Sequence, residues 1–185
     1  MIRHGGFCLL ALAAAACGGA RAPDKVVRSE PATVRVGTIT GSEVTLAATQ
    51  TVESTPLVVA VPLERAWAAL PAVYAAIDVE PRTVVTAEHL VGNTGAKVRK
   101  ELGGVRMAEY LDCGIRQGEH NADSYLVNLS LQTRLVALDS ARTVVHTVAT
   151  ARATPVGLST DPVHCVSTGR LERRIAELVA ERSRG

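Results

Sequence analysis

The chain has 185 residues, of which 47% are hydrophobic and 3% aromatic, and its formal net charge is +2. Acidic and basic residues are interspersed along it, which excludes the basic stripe with stacking aromatics that nucleic-acid binding requires. Cysteines occur at positions 8, 17, 113 and 165.

Met1 to Ala16 has the parts of an export leader: Arg3 as the positive start, Phe7 to Leu12 as the apolar middle, and Ala13 to Ala16 as a zone of small residues. The apolar run falls short of the about 20 residues that span a bilayer. No later stretch is long and apolar enough to act as a stop-transfer helix. Ala14-Ala15-Ala16 fits an ordinary signal-peptidase site. Read through to Cys17, the stretch "AAAC" (14–17) resembles the lipobox of bacterial lipoproteins, in which small residues precede a Cys that is lipidated before cleavage. Ala14 stands where that motif usually has Leu. The resemblance implies that Cys17 carries a lipid anchor. Gly18 follows it, instead of the Asp that retains many such proteins in the inner membrane, so the implied address is the outer membrane, facing the periplasm. Several acyl chains hold a protein on a bilayer far more firmly than one. Residues 18–32, "GGARAPDKVVRSEPA", are rich in Gly, Pro, Ala and charge and read as a flexible tether with a reach of roughly 20 Å. The expected division is a signal peptide at 1–16, a lipid anchor and tether at 17–32, and a single domain at 33–185. That domain, of about 150 residues, is long enough to bury a core of its own.

Cys113 in "YLDCG" and Cys165 in "VHCVSTG" fall inside the domain. In an oxidising envelope compartment this pair is expected to form a disulfide. A zinc site of Cys113, His120, His164 and Cys165 is the sharper alternative, because Zn²⁺ accepts thiolate and imidazole in a tetrahedron. Against it, His164 and Cys165 are adjacent, so their side chains diverge on a strand. The spacing from Cys113 to His120 is also wider than that of usual zinc ligand pairs. Two free buried thiols are the third possibility. No metal and no cofactor is expected.

In chain order, "TVRVGTIT" (33–40) and "EVTLAATQTV" (43–52) are β-branched runs around Gly41-Ser42, which predicts a hairpin with a two-residue type II′ turn. "PLVVAV" (56–61) follows as a short apolar run. Leu63, Trp67, Leu70, Tyr74 and Ile77 then recur at spacings of four and three, one face of an α-helix opened by Pro62 at its first turn. Pro71 removes an amide and predicts a bend, and Trp67, the sole Trp, is placed in the core. "RTVVTAEHLVG" (82–92) reads as one strand. Residues 96–112 fit a short helix or an irregular strand pair around Gly103-Gly104, and the sequence does not choose. Tyr125, Val127, Leu129, Leu131 and Leu135 alternate with Asn128, Ser130, Gln132 and Arg134, the two-residue period of a half-buried strand. Asp139-Ser140-Ala141 turns the chain into a partner strand, "RTVVHTVATARA" (142–153). After the loop "TPVGLSTDP" (154–162), Thr168 can cap a final helix striped by Leu171, Ile175, Leu178 and Val179. This order predicts an α+β fold, an antiparallel sheet with two main helices packed on one face.

Catalytic motifs are scarce. "GNTGAK" (92–97) lacks the G-x-x-x-x-G-K-[ST] pattern and reads as a Gly-rich turn. G-x-S-x-G, H-E-x-x-H and C-x-x-C do not occur. Asp112 with His120 or His146 is the one acid–base candidate, and His146 shares a strand face with Val144 and Val148. Asp112, Glu119 and Asp123 lack the alternate spacing of a Ca²⁺ loop. "NLS" (128–130) has the form of a glycosylation sequon that a bacterial lipoprotein leaves idle. The C-terminal "RLERRIAELVAERSRG" alternates its charges as a solvated helix face does. The expectation is a protein that is not an enzyme.

The helix start "ERAWAAL" (64–70), beside an antiparallel sheet and followed by a terminal helix, resembles the helix-grip arrangement. Small domains of the outer-membrane assembly lipoprotein BamC share it, as do lipid-binding START-like domains. A BamC-like reading implies a non-enzymatic accessory role in an envelope complex. A START-like reading implies a cavity for an apolar ligand between sheet and long helix. The expectation is a lipid-anchored protein acting by binding, as a partner or structural accessory module. Its partners would be the membrane, through the anchor, and an envelope protein, with no nucleic acid. The alternative is a carrier of an apolar small molecule or lipid. A wide, empty sheet face under the last helix would favour the carrier, and a filled core the partner module.

Overall fold

The structure, a computed structural model, describes residues 26–37, 43–54, 56–157 and 161–184. The expected leader and Cys17 lie outside these residues. β1 (Val26–Gly37) and β2 (Glu43–Ser54) form a two-stranded antiparallel ribbon of their own. Gly37 pairs with Glu43, so the connection runs over 38–42. Gly41-Ser42, expected as a two-residue turn, lies outside the described residues. A turn of that kind would have paired Thr40 with Glu43, which is not the observed register. β1 begins at Val26, inside the stretch expected as tether. The reason is that 48–54 offers the β-branched ladder partner that composition alone does not reveal.

The main sheet is antiparallel and seven-stranded. β3 (Leu57–Val59) leads into α1 (Leu63–Ala76), which is followed by β4 (Thr83–Val85) and β5 (Leu90–Val98). A small hairpin, β6 (Glu101–Leu102) and β7 (Val105–Arg106), precedes the one-turn helix α2 (Met107–Tyr110) and β8 (Leu111–Asp112). A second small hairpin, β9 (Ile115–Arg116) and β10 (Glu119–His120), leads to α3 (Asn121–Ser124). The long strands β11 (Leu126–Ala137) and β12 (Thr143–Thr154) come next, then β13 (Val163–Ser167) and α4 (Arg170–Arg182). Spatially the order is β4-β5-β11-β12-β13-β8, and β3 pairs with the other end of β12. α1 and α4 pack against each other and on the sheet, so the fold is the expected α+β arrangement.

Alternation in β11 buries Val127, Leu129, Leu131, Thr133 and Leu135 beneath the helices. β12 answers with Val145, Thr147, Ala149, Ala151 and Ala153 on the same face, at the paired positions. The turn between them is the expected one: Ala141 N–H donates to Asp139 Oδ1 at 2.9 Å, and Leu138 N–H to Arg142 O at 2.9 Å. Thr133 and Thr147, directly opposite one another, are joined by a hydroxyl–hydroxyl bond of 3.1 Å. Tyr74 reaches down from α1, its hydroxyl donating to Val91 O at 3.0 Å and lying 3.2 Å from Thr133 Oγ1. Burial pushes the Tyr74 hydroxyl pKa up to about 12.

Three elements differ from expectation. α1 runs unbroken through Pro71, but its inward stripe is Ala66, Ala69, Leu70, Val73, Tyr74 and Ile77. The stripe is therefore rotated, and Leu63 and Trp67 sit at its margin, half-buried. The helix ends at Ala76 with Ile77 as its C-cap, and Asp78 follows in the left-handed region at φ 55°, with Val79 N–H closing back on Tyr74 O at 3.0 Å. The stretch expected as one strand at 82–92 reverses through the 3₁₀ turn Thr86–Glu88 and His89 at φ 46°, making β4 and β5 antiparallel neighbours. "GNTGAK" is part of β5, not a turn. Its extra residue is absorbed as a bulge opposite Leu129 to Leu131. Asn93 holds that bulge, donating to Glu80 O at 2.8 Å and accepting from Gly95 N–H at 2.9 Å.

Residues 96–112 contain both structures that the sequence left open, the strand pair β6–β7 and the single turn α2. Gly103 and Gly104, at φ 58° and 75°, form the hairpin turn. Gly103 also lies against the end of α1, where an added Cβ would meet Ala76 O and Ile77 Cα at 2.9 Å. At the other end of the chain, the α4 N-cap is Gly169 and not Thr168. Thr168 Oγ1 instead donates to Glu109 O at 2.7 Å, which ties α2 to the start of α4. Ser167 Oγ accepts from Gly169 N–H at 3.1 Å.

Candidate functional site

Cys113 and Cys165 form a disulfide, with Cα atoms 4.2 Å apart. The position follows from the register: Val166 pairs with Asp112, which sets Cys113 at the end of β8 across from Cys165 in β13. Both cysteines are buried on the helix side. Asn121 closes over them, its Nδ2 donating to Cys113 O at 2.9 Å and its backbone N–H to Gly114 O at 3.0 Å. His164 projects to the opposite, exposed side, as alternation requires, and His120 is exposed in β10. With both sulfurs used in the bridge, the cysteines of the zinc alternative have no thiolate to offer, and among the described residues no cluster of three metal-ligating side chains occurs.

The acid–base candidates are dispersed. Asp112 Oδ1 accepts from Gly114 N–H at 2.9 Å, which fixes the bend after β8. Asp123 accepts from Arg106 and from Ala108 N–H, the latter at 2.9 Å, and so holds α2 against α3. Glu119 is exposed. His146 lies on the outer sheet face with Val144 and Val148, opposite Arg134. It stands six positions along β12 from Arg152, where β13 attaches. At about 3.3 Å per residue that separation is about 20 Å. His146 is held below its usual pKa by partial burial first and by the Arg134 charge second.

Trp67 is not a core anchor. It is partly buried at the edge of the helix layer and meets His89 edge-on, with ring centroids 5.3 Å apart and planes at 85°. His89 Nε2 lies 3.8 Å from Glu64 Oε1, and Arg134 pairs with Glu88 nearby. The left-handed backbone at His89 is what turns its ring toward α1.

The outer face of the sheet carries an arrangement that chain order conceals. Lys97 in β5 pairs with Asn128 in β11, Asn128 with Arg152 in β12, and Arg152 with His164 in β13. The four are exposed and lie in one row across four strands. At about 4.8 Å between strands the row is about 14 Å wide. Beyond Lys97, the chain leaves β5 through exposed Arg99 and Lys100. Only alternation could have marked these residues, since each occupies the polar phase of its strand. No protein-family model, no curated protein and no solved structure matches the chain.

Proposed function

We propose that the chain is a lipid-anchored protein of the cell envelope, held through Cys17 on the outer membrane and facing the periplasm. In this reading it acts by binding, as a non-enzymatic partner or structural accessory module. The supporting observation is the filled, disulfide-stapled core between helices and sheet. Leu70, Tyr74, Leu129, Leu131, Leu171 and Ile175 meet there with at most 2% of their surface exposed. An apolar carrier needs that interlayer space for its ligand, whereas an accessory module acts through its surface. The disulfide supports the address, because such bonds persist in oxidising compartments outside the cytosol.

Two measurements test this reading. In the exporting cell, Cys17→Ala should move the protein from the membrane fraction to the soluble periplasm with the Cys113–Cys165 bridge intact. Unchanged membrane fractionation would overturn the anchor. Affinity capture of the lipidated protein from detergent-solubilised membranes should recover an envelope protein in comparable amount. Recovery of a bound lipid in its place would establish the carrier.

A further inference from the structure

Among the described residues several exposed cations stand outside any ion pair, Arg65, Arg82 and Arg173 among them, and the row on the outer sheet face brings such cations together on adjacent strands. Arg134 is paired with Glu88, Arg106 with Asp123, Arg142 with Asp139, and Arg170 with Glu109. On α4, Arg174 lies between Glu177 and Glu181. Among the described residues, no ion pair engages Lys97, Arg99, Lys100 or Arg152. The acids closest in sequence are Glu101, which follows Lys100, Asp112 at the far edge, already bonded to Gly114 N–H, and Asp161 before β13. Asn128 and His164 complete the row with further N–H donors. Val166, 63% exposed, lies two residues beyond His164 on the same face.

We propose that this face docks on a bilayer through its phosphate-bearing lipid headgroups, with α1 and α4 turned away from the membrane. The proposal rests on the membrane-anchored reading above, and charge complementarity supplies its argument. A flat sheet face presents cations about 10 Å apart at Lys97 and Arg152, two strands away from each other, to a surface tiled with anions. A lipid anchor at Cys17 would limit distance but not set orientation, and the row would supply the orientation. Chain length permits it. Val26 pairs with Ser54, three residues before β3, whose partner segment at 143–145 lies along β12 from Arg152. Residues 18–25, extended at about 3.5 Å each, reach roughly 28 Å, and Arg152 is about 23 Å along β12 from Val145.

The test uses the full chain with Cys17→Ser, so that acylation plays no part, and co-sedimentation with phosphatidylcholine vesicles with and without phosphatidylglycerol. The ratio of the two partition coefficients isolates the anionic contribution. Each basic residue near a charged bilayer accounts for about a fivefold change in partitioning at low salt, so Lys97→Gln/Arg152→Gln should lower the ratio about 25-fold. Arg65→Gln/Arg173→Gln, an equal charge change at exposed positions of α1 and α4, should leave it unaltered, and all variants should keep the parent urea midpoint. A ratio of one for the parent chain, or an equal loss in Arg65→Gln/Arg173→Gln, would overturn the proposal. So would binding to soluble polyglutamate that matches binding to the anionic vesicles. None of these outcomes depends on lipidation, which the Cys17→Ala fractionation tests separately.

Discussion

Removing the Cys113–Cys165 bridge should lower the stability of the domain by about 4 kcal/mol. The bridge closes a loop across 52 positions. In the chain-entropy description that closure removes about 14 cal/mol/K from the unfolded ensemble, or about 4 kcal/mol at 25 °C. The structure indicates why little of this would be recovered otherwise. β8 contributes only Leu111 and Asp112 to the sheet, so few backbone bonds hold this corner once the bridge is gone. Cys113→Ala/Cys165→Ala is the appropriate variant, because both sites are buried and a Ser hydroxyl there would add its own cost. Urea denaturation followed by tryptophan fluorescence and far-UV circular dichroism gives the comparison. The midpoint should fall, and the slope should rise as the unfolded chain expands. A difference below about 1 kcal/mol would refute the reasoning, since it would mean that the unfolded chain stays equally compact without the bond.

Tyr74→Phe should cost about 1–3 kcal/mol, because it leaves the buried Val91 carbonyl without its donor. Its pH profile separates this from simple packing loss: the folded pKa of about 12 lies above the ordinary 10.0. Stability present below pH 10 should therefore decline as pH rises toward 12, by about 3 kcal/mol, and Phe should remove that decline; an unchanged alkaline slope would count against the buried hydroxyl. Trp67→Ala should cost about 2 kcal/mol, less than the 3–5 kcal/mol typical of a fully buried aromatic, and a larger loss by urea denaturation would return Trp67 to the core.

Legibility in the sequence tracked the length and regularity of each element. β11, β12 and α4 are long, and their apolar residues follow one period, so strand, turn and helix stripe were readable from Val127 to Leu135 and from Leu171 to Val179. The disulfide was readable because the cysteine count and the oxidising compartment expected from the leader favour it together. The reversal at His89 was not. "RTVVTAEHLVG" carries no Gly, Asn or Pro at the turn, and a non-Gly residue takes φ 46° only because β4 and β5 pair around it. The inward face of α1 was misplaced because Ala66 and Ala69 carry little weight in an apolar pattern, while Leu63 and Trp67 carry much. Two-residue strands such as β6 and β7 are shorter than any period and are fixed by neighbours. The cationic row draws on four strands between positions 97 and 164, so it exists only once register is known.

The polar network under α1 bears on how the two candidate modes of binding divide. Tyr74, Thr133 and Thr147 link helix to sheet through hydroxyls that lie at the middle of the interlayer space, all nearly inaccessible to solvent. Parting the helices from the sheet to admit an apolar molecule would separate Tyr74 from Val91 O and from Thr133. An apolar ligand offers neither donor nor acceptor in return, and each polar group stranded in this way costs about 1–3 kcal/mol. Thr143 adds to the resistance, since its buried hydroxyl donates to Val61 O at 2.7 Å and fastens the approach to α1 to the start of β12. The interlayer is therefore cheapest closed. In the proposed reading recognition then falls to the outer sheet face and to the solvent side of the helices, and the sheet face sets Lys97 and Arg152, which no ion pair among the described residues engages, in one row across adjacent strands.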